Sequence, residues 1–153
     1  MATELWHQNV GFHFAVSISS TDGEDIDARF QSVSGLDASI ETENIKEGGE
    51  NRFEHKLPVR RSYSDLVLKR GQLSIKAASF LTRWCKMALE SQWVQPLNID
   101  IILLDEEHKP LMKWEVVHAW PKKWKFGELN AERSEVLVET IEFNYNFFNF
   151  VEP

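Results

Sequence analysis

The chain has 153 residues, the length of one domain (1–153) with enough chain for a real core, and its 42% hydrophobic and 27% charged content is that of a folded globular protein. Twenty-four acidic against 17 basic residues give a formal net charge of -7, which disfavours wrapping nucleic acid by bulk charge. One cysteine, Cys85, excludes an intrachain disulfide or a thiolate metal cluster within one chain. No run approaches the roughly 20 apolar residues of a membrane span, so no direct membrane insertion is expected. Met1 to Val10 holds no apolar run of signal-peptide length, so the expectation is synthesis and assembly in the cytoplasm.

In chain order, Gly11 to Ser19 alternates, with Phe12, Phe14, Val16 and Ile18 on one face, and reads as a half-buried strand. The polar stretch from Ser20 to Asp27 predicts a reversal, and a second strand is expected from Ala28 to Val33, ending at Ser34-Gly35. Asp37 to Asn51 is polar and acidic, with Glu41, Glu43, Glu47 and Glu50, and only Ile40 and Ile45 large and apolar. This predicts an extended arm or long hairpin, poorly packed in a lone subunit. Arg52 to Leu57 is strand-like and expected to stop at Pro58; Tyr63 to Lys69 is a further short strand closed by an Arg70-Gly71 turn.

A helix is expected after Gly71, with Ser74 as N-cap. Ala77, Phe80, Leu81, Trp84 and Ala88 form its apolar stripe, with Met87 alongside, and Cys85 reads as a buried, inert thiol. Leu97 to Leu104 alternates again, Asp105 to Pro110 predicts a hairpin turn, and the returning strand places Met112, Trp114, Val116 and His118 on one face. A loop through Pro121 to Arg133 leads to a last long strand from Glu135 to about Phe147. The fold class is mainly β, barrel- or sandwich-like, with one flanking α-helix.

No chemistry stands out. His7, His13, His55, His108 and His118 lack metal-ligand spacing, and His118 reads as a hydrogen-bonded structural residue on an apolar face. The run Asp22, Glu24, Asp25, Asp27 lacks the full spacing of a calcium loop, and neither a nucleophile elbow nor a phosphate loop appears. The expectation is no enzyme, with no catalytic, cofactor-binding or metal residues and no cofactor. Two features fit a lone monomer poorly: the polar arm, costly to order without a partner, and a last strand with large or branched residues on both faces.

Several segments, in order, resemble the tail-tube proteins of contractile-tailed phages and of phage-tail-like extracellular contractile injection systems. They are Phe12-His-Phe-Ala-Val16, Phe30-Gln-Ser-Val-Ser-Gly-Leu-Asp37 with Glu41, Lys56-Leu-Pro58, Leu66-Val-Leu-Lys-Arg-Gly71, Ile101-Ile-Leu-Leu-Asp105, Trp114, Ala119-Trp-Pro121, Leu129-Asn-Ala131 and Glu135-Val-Leu-Val-Glu-Thr-Ile-Glu142. The resemblance implies a ring-forming tail-tube fold, a homo-hexamer stacked ring on ring into a hollow tube. The implied partners are a sheath protein, baseplate or spike proteins, and a cargo in the lumen, toxin or DNA. The particle would be a phage virion tail or an extracellular injection machine. An arm at about 37–57 would contact neighbouring subunits through Ile40, Glu41, Ile45 and Lys46, with Lys69, Arg70 and Gly71 as a secondary contact. An acidic lumen wall would fit the net charge.

The chain departs from the family where Val59-Arg-Arg61 follows Leu-Pro and in its aromatic C-terminus, Asn144 to Pro153. The latter raises a second reading, a specialised tube-initiating ring next to the baseplate. Two further readings are a secreted ring protein of the type VI secretion tube and a small β-barrel that binds an apolar ligand.

Overall fold

The computed structural model describes residues 13–19, 25–28, 30–46, 48–49, 52–71, 79–128, 130–132 and 137–152. Among these the chain forms β1 (His13–Ser19), β2 (Asp25–Ala28), β3 (Ser32–Ser34), β4 (Ala38–Ile45), β5 (His55–Tyr63), β6 (Leu66–Gly71), α1 (Ser79–Glu90), β7 (Leu97–Leu104), β8 (Pro110–Phe126), β9 (Val138–Asn144) and β10 (Phe147–Val151). The main sheet runs β2-β1-β7-β8-β9-β6-β3, all antiparallel, with β10 added on β8. β4 and β5 form a separate two-stranded sheet.

The 17-residue β8 carries both halves. On one side it pairs with β7; on the other Asn144 lies opposite Trp120 and Phe147 opposite Val117, so β9 and β10 are one strand line interrupted at Tyr145 and Asn146. Val16, Ile18, Ile99 and Ile101 from the β1 end share one buried cluster with Leu66, Leu68, Ile141 and Phe143 from the β6 end. The sheet therefore curls on itself around a common core, as the barrel- or sandwich-like reading expected.

Curvature comes from bulges. Leu97 pairs with Ala119 and Ile99 with Val116, so Val117 and His118 stand against Asn98 alone. His118 takes φ 57°, and its N–H donates to Asn98 Oδ1 at 3.2 Å. The extra residue shifts the inward face from Trp114 and Val116 to Ala119 and Pro121. His118 is consequently exposed, which corrects its reading as a structural histidine on an apolar face. A second irregularity between Pro121 and Lys123 bends the strand again.

Helix α1 closes the core with Leu81, Trp84, Cys85 and Ala88, and the Trp84 and Phe143 rings meet at 5.4 Å. Trp84 Nε1–H donates to the Gln95 carbonyl at 2.8 Å, giving the buried indole its partner. Met87, expected alongside the stripe, is exposed. Ser74 and Ala77 lie outside the described residues, as do Gly11 and Phe12.

Several strand limits move. The expected strand Ala28 to Val33 is instead two, β2 and β3. Pro58 does not stop β5: it lies opposite Thr42 beside a register shift, in a sheet of only two strands where a missing donor is tolerated. Tyr63 ends β5, and β6 begins only at Leu66. Arg70 and Gly71 are paired within β6, not a closing turn, and the expected loop from Pro121 is strand as far as Phe126.

Gly35 allows β3 to turn into the arm. It has φ 89°, and a Cβ there would collide with the Asp65 carbonyl. Gly35→Ala should cost about 1–3 kcal/mol from backbone conformation alone, and more from the collision. Urea unfolding would measure it; a cost near zero would contradict this geometry.

Candidate inter-subunit surface

The arm is a hairpin, with Ala38 opposite Tyr63 at its root and Ile45 opposite His55 toward its tip. Every residue of β4 is exposed, and in β5 only Ser62 and Tyr63 are partly covered. Ile40 is 56% exposed, Leu57 47%, Val59 61% and Phe53 55%. A two-stranded sheet is marginal in water unless a face is buried against further elements. Here neither face is, so its cross-strand pairs, such as Ser39 to Ser62 at 2.7 Å, hold shape without supplying a core.

The root is tethered. Tyr63 packs against Phe148 at 5.2 Å and Tyr145 at 5.9 Å, and the Ser64 hydroxyl donates to Asp37. The Tyr145 hydroxyl donates to the Gly35 carbonyl at 3.3 Å, and Lys122 Nζ donates to Asp65 at 2.8 Å. Tyr145, and Phe148 on β10, thus brace the end of β5, where the arm returns to the body.

Of the expected contact residues, Ile40, Glu41, Ile45 and Lys46 all lie exposed on the arm. Lys69 is exposed on β6, opposite Thr140, which in turn faces Lys125, so this rung of the sheet carries lysines. Arg70 points the other way. It is 5% exposed and ion-paired through Nε with Glu139, itself 6% exposed. Trp124 Nε1–H donates to the second Glu139 oxygen at 2.6 Å, so one carboxylate joins β6, β9 and β8. In the single chain the accessible part of the Lys69-Arg70-Gly71 segment is therefore its flanks.

The sequence reading missed Phe53, Leu57 and Val59 as exposed arm residues. Alternating apolar residues look the same whether they face a core or a partner. Outside the arm, Trp93 is 64% and Phe150 56% exposed. No group of three or more His, Cys, Asp or Glu able to hold a metal occurs among the described residues, and no described helix is long and apolar enough to cross a membrane.

Residues 10–149 match the model of the T4-like virus tail tube protein gp19 family. Among solved structures, a chain of the anti-feeding prophage baseplate, 6-fold symmetrised, is 32% identical with TM-score 0.85, covering 94% of this chain and 95% of that one. A chain of the extended PVC sheath-tube complex, an extracellular contractile injection system, is 23% identical with TM-score 0.79 over 97% and 95%. Hcp1 from Flavobacterium johnsoniae shares the fold at 13% identity and TM-score 0.60, over 92% and 95%. No curated protein sequence matches.

Glu139→Gln should destabilise the chain by about 3–5 kcal/mol by leaving Arg70 buried without its counter-charge, whereas the pair replacement Arg70→Met with Glu139→Leu should cost far less. Chemical denaturation of both would show it; equal losses would argue against the ion pair. Burial, with Glu139 adding and Arg70 opposing, pushes the Cys85 thiol from 9.0 up to about 12. Burial, then Asp37, Tyr63 and Asp65, pushes the Tyr145 phenol from 10.0 to about 12. Both groups bind their protons more tightly when folded, so their contribution is complete below pH 9 and is lost as pH rises toward 12. Thermal midpoints should fall across that window, and less steeply in Tyr145→Phe.

Proposed function

The chain belongs to the T4-like tail tube protein family, and from that premise we propose that six copies close into a ring and rings stack into the inner tube of a contractile injection particle. The match along residues 10–149 carries this reading, and the 6-fold baseplate assembly that holds the 32%-identical chain supports the copy number. Closing sheets through neighbours removes open strand edges that each subunit otherwise presents. A head-to-tail contact that closes after a whole number of copies gives a ring and not an open fibre.

The role is mechanical and non-catalytic: a rigid conduit driven through a target envelope when an outer sheath shortens. Assembly takes place in the cytoplasm, followed by release as a phage tail or injection particle. The arm, through Ile40, Glu41, Ile45 and Lys46, touches neighbouring copies, with Lys69 and Gly71 at a second contact that Arg70 braces from within. Sheath outside, baseplate or spike at one end, and toxin or DNA in the lumen complete the partners.

A second reading, the tube-initiating ring at the baseplate, has its own support. Identity is 32% to the baseplate chain but 23% to the sheath-tube chain and 24% to a tube-terminating cap. Such a ring grows tubes poorly alone and needs a baseplate partner on one face.

Negative-stain microscopy with light scattering over a concentration series is the test. Hexameric rings or tubes are expected, and deletion of residues 40–49 should weaken stacking. Rings that never stack favour the initiating ring. A compact monomer at every concentration would overturn the ring reading.

A further inference from the structure

Two histidine rings far apart in the sequence meet at one end of the main sheet. His13 opens β1, where it lies opposite Leu104, the last residue of β7. His108 sits in the turn that follows Leu104 and leads into β8. Hydrogen bonds fix that turn. Asp105 N–H donates to the Lys109 carbonyl at 3.0 Å, and His108 N–H donates to the Asp105 carbonyl at 3.1 Å. The N–H groups of Glu107 and Lys109 both donate to Asp105 Oδ1 at 2.8 Å. His108 takes φ 61°, a left-handed conformation that these bonds hold. Its ring stands 5.4 Å from that of His13, centre to centre, at a tilt of 37°.

That spacing fits one metal ion shared by both rings. A zinc–nitrogen bond is about 2.0–2.1 Å, and the centre of an imidazole lies about 1.1 Å beyond its nitrogen, so two rings on one tetrahedral ion have centres about 5.2 Å apart. Square-planar ligation would draw them in to about 4.5 Å. Both histidines are exposed, so water completes the shell and no charge has to be buried. The turn beside them is acidic. Asp105, Glu106 and Glu107 outnumber Lys109, whose ammonium is held by Glu107 at 2.7 Å. A cation is therefore attracted to this end of the sheet. Cys85, the only thiol, is buried and does not compete for the ion.

We propose that His13 and His108 form an open zinc site, with two imidazole nitrogens as protein ligands and water in the remaining positions. With only two protein ligands it takes up Zn2+ exchangeably and is no closed structural centre. Both ligands belong to one chain, so the site is complete without a ring.

Calorimetric titration of the full chain with Zn2+ alone tests it, with Mg2+ as the control for ions gathered by net negative charge. One Zn2+ per chain is expected, and no Mg2+ in its place. His13→Ala and His108→Asn should each weaken binding by roughly tenfold or more. Together they should do little further harm, because either loss already breaks the pair. His118→Asn, on the exposed bulge of β8, should bind as the parent chain does. Asparagine tolerates the left-handed backbone at both its positions, so each variant should keep the far-UV circular dichroism of the parent. In nuclear magnetic resonance the imidazole signals of His13 and His108 should follow one titration curve. Absence of Zn2+ binding at millimolar concentration would overturn the proposal. So would binding that survives either substitution of the pair, or that His118→Asn removes, since the ion would then lie elsewhere.

Discussion

A strand long enough to belong to two halves of a sheet has to bend, and β8 bends where residues are inserted into its pairing. With Val117 and His118 set against Asn98, the inward face changes parity partway along, and Val116 and Ala119 both reach the same core. Without that shift, the residues beyond the bulge would present the wrong face and the β6 end of the sheet could not close over the β1 end. The core, the seat of α1 and the place where the arm leaves the body all follow from this change of register. The Arg70, Glu139 and Trp124 contacts then fix the second half of β8 to its neighbours by a route that apolar packing alone does not provide.

Much of this was legible in the sequence. β1 and β7 alternate cleanly, and Val16, Ile18, Ile99 and Ile101 are buried as their spacing implies. The helix announced itself by Leu81, Trp84 and Ala88. What stayed hidden was set by pairing and not by period. Pro121 is normally a strand breaker, but beside a bulge it is buried and tolerated. Phe147 to Val151 alternates poorly because Phe148 alone faces Tyr63 and Tyr145 while Phe147 and Phe150 are exposed. Arg70-Gly71 resembles a turn signal, yet a carboxylate 69 residues away holds the arginine inside a strand.

The arm shows the same division. Its existence was readable from polar composition, with only Ile40 and Ile45 large and apolar between Asp37 and Asn51. The exposure of Leu57 and Val59 was not, because an apolar residue in a strand reads the same whether it faces a core or a partner. A segment that cannot build a core of its own can still be held ready at its root, and here tyrosines, a phenylalanine and Gly35 do so. Ordering the base in advance reduces what must be ordered on contact, which favours association without adding adhesive surface.

The burial of Cys85 reaches beyond the fold of one chain. Polymers that present a free sulfhydryl on every protomer are prone to covalent scrambling once they meet oxygen. Here the only sulfur of that kind is enclosed by the helix and sheet and held protonated far above neutral pH. A long assembly of such chains is chemically quiet in an oxidising medium. The same silence makes the chain a convenient blank: a cysteine introduced anywhere on its surface would be the sole group open to a thiol-directed dye or spin probe.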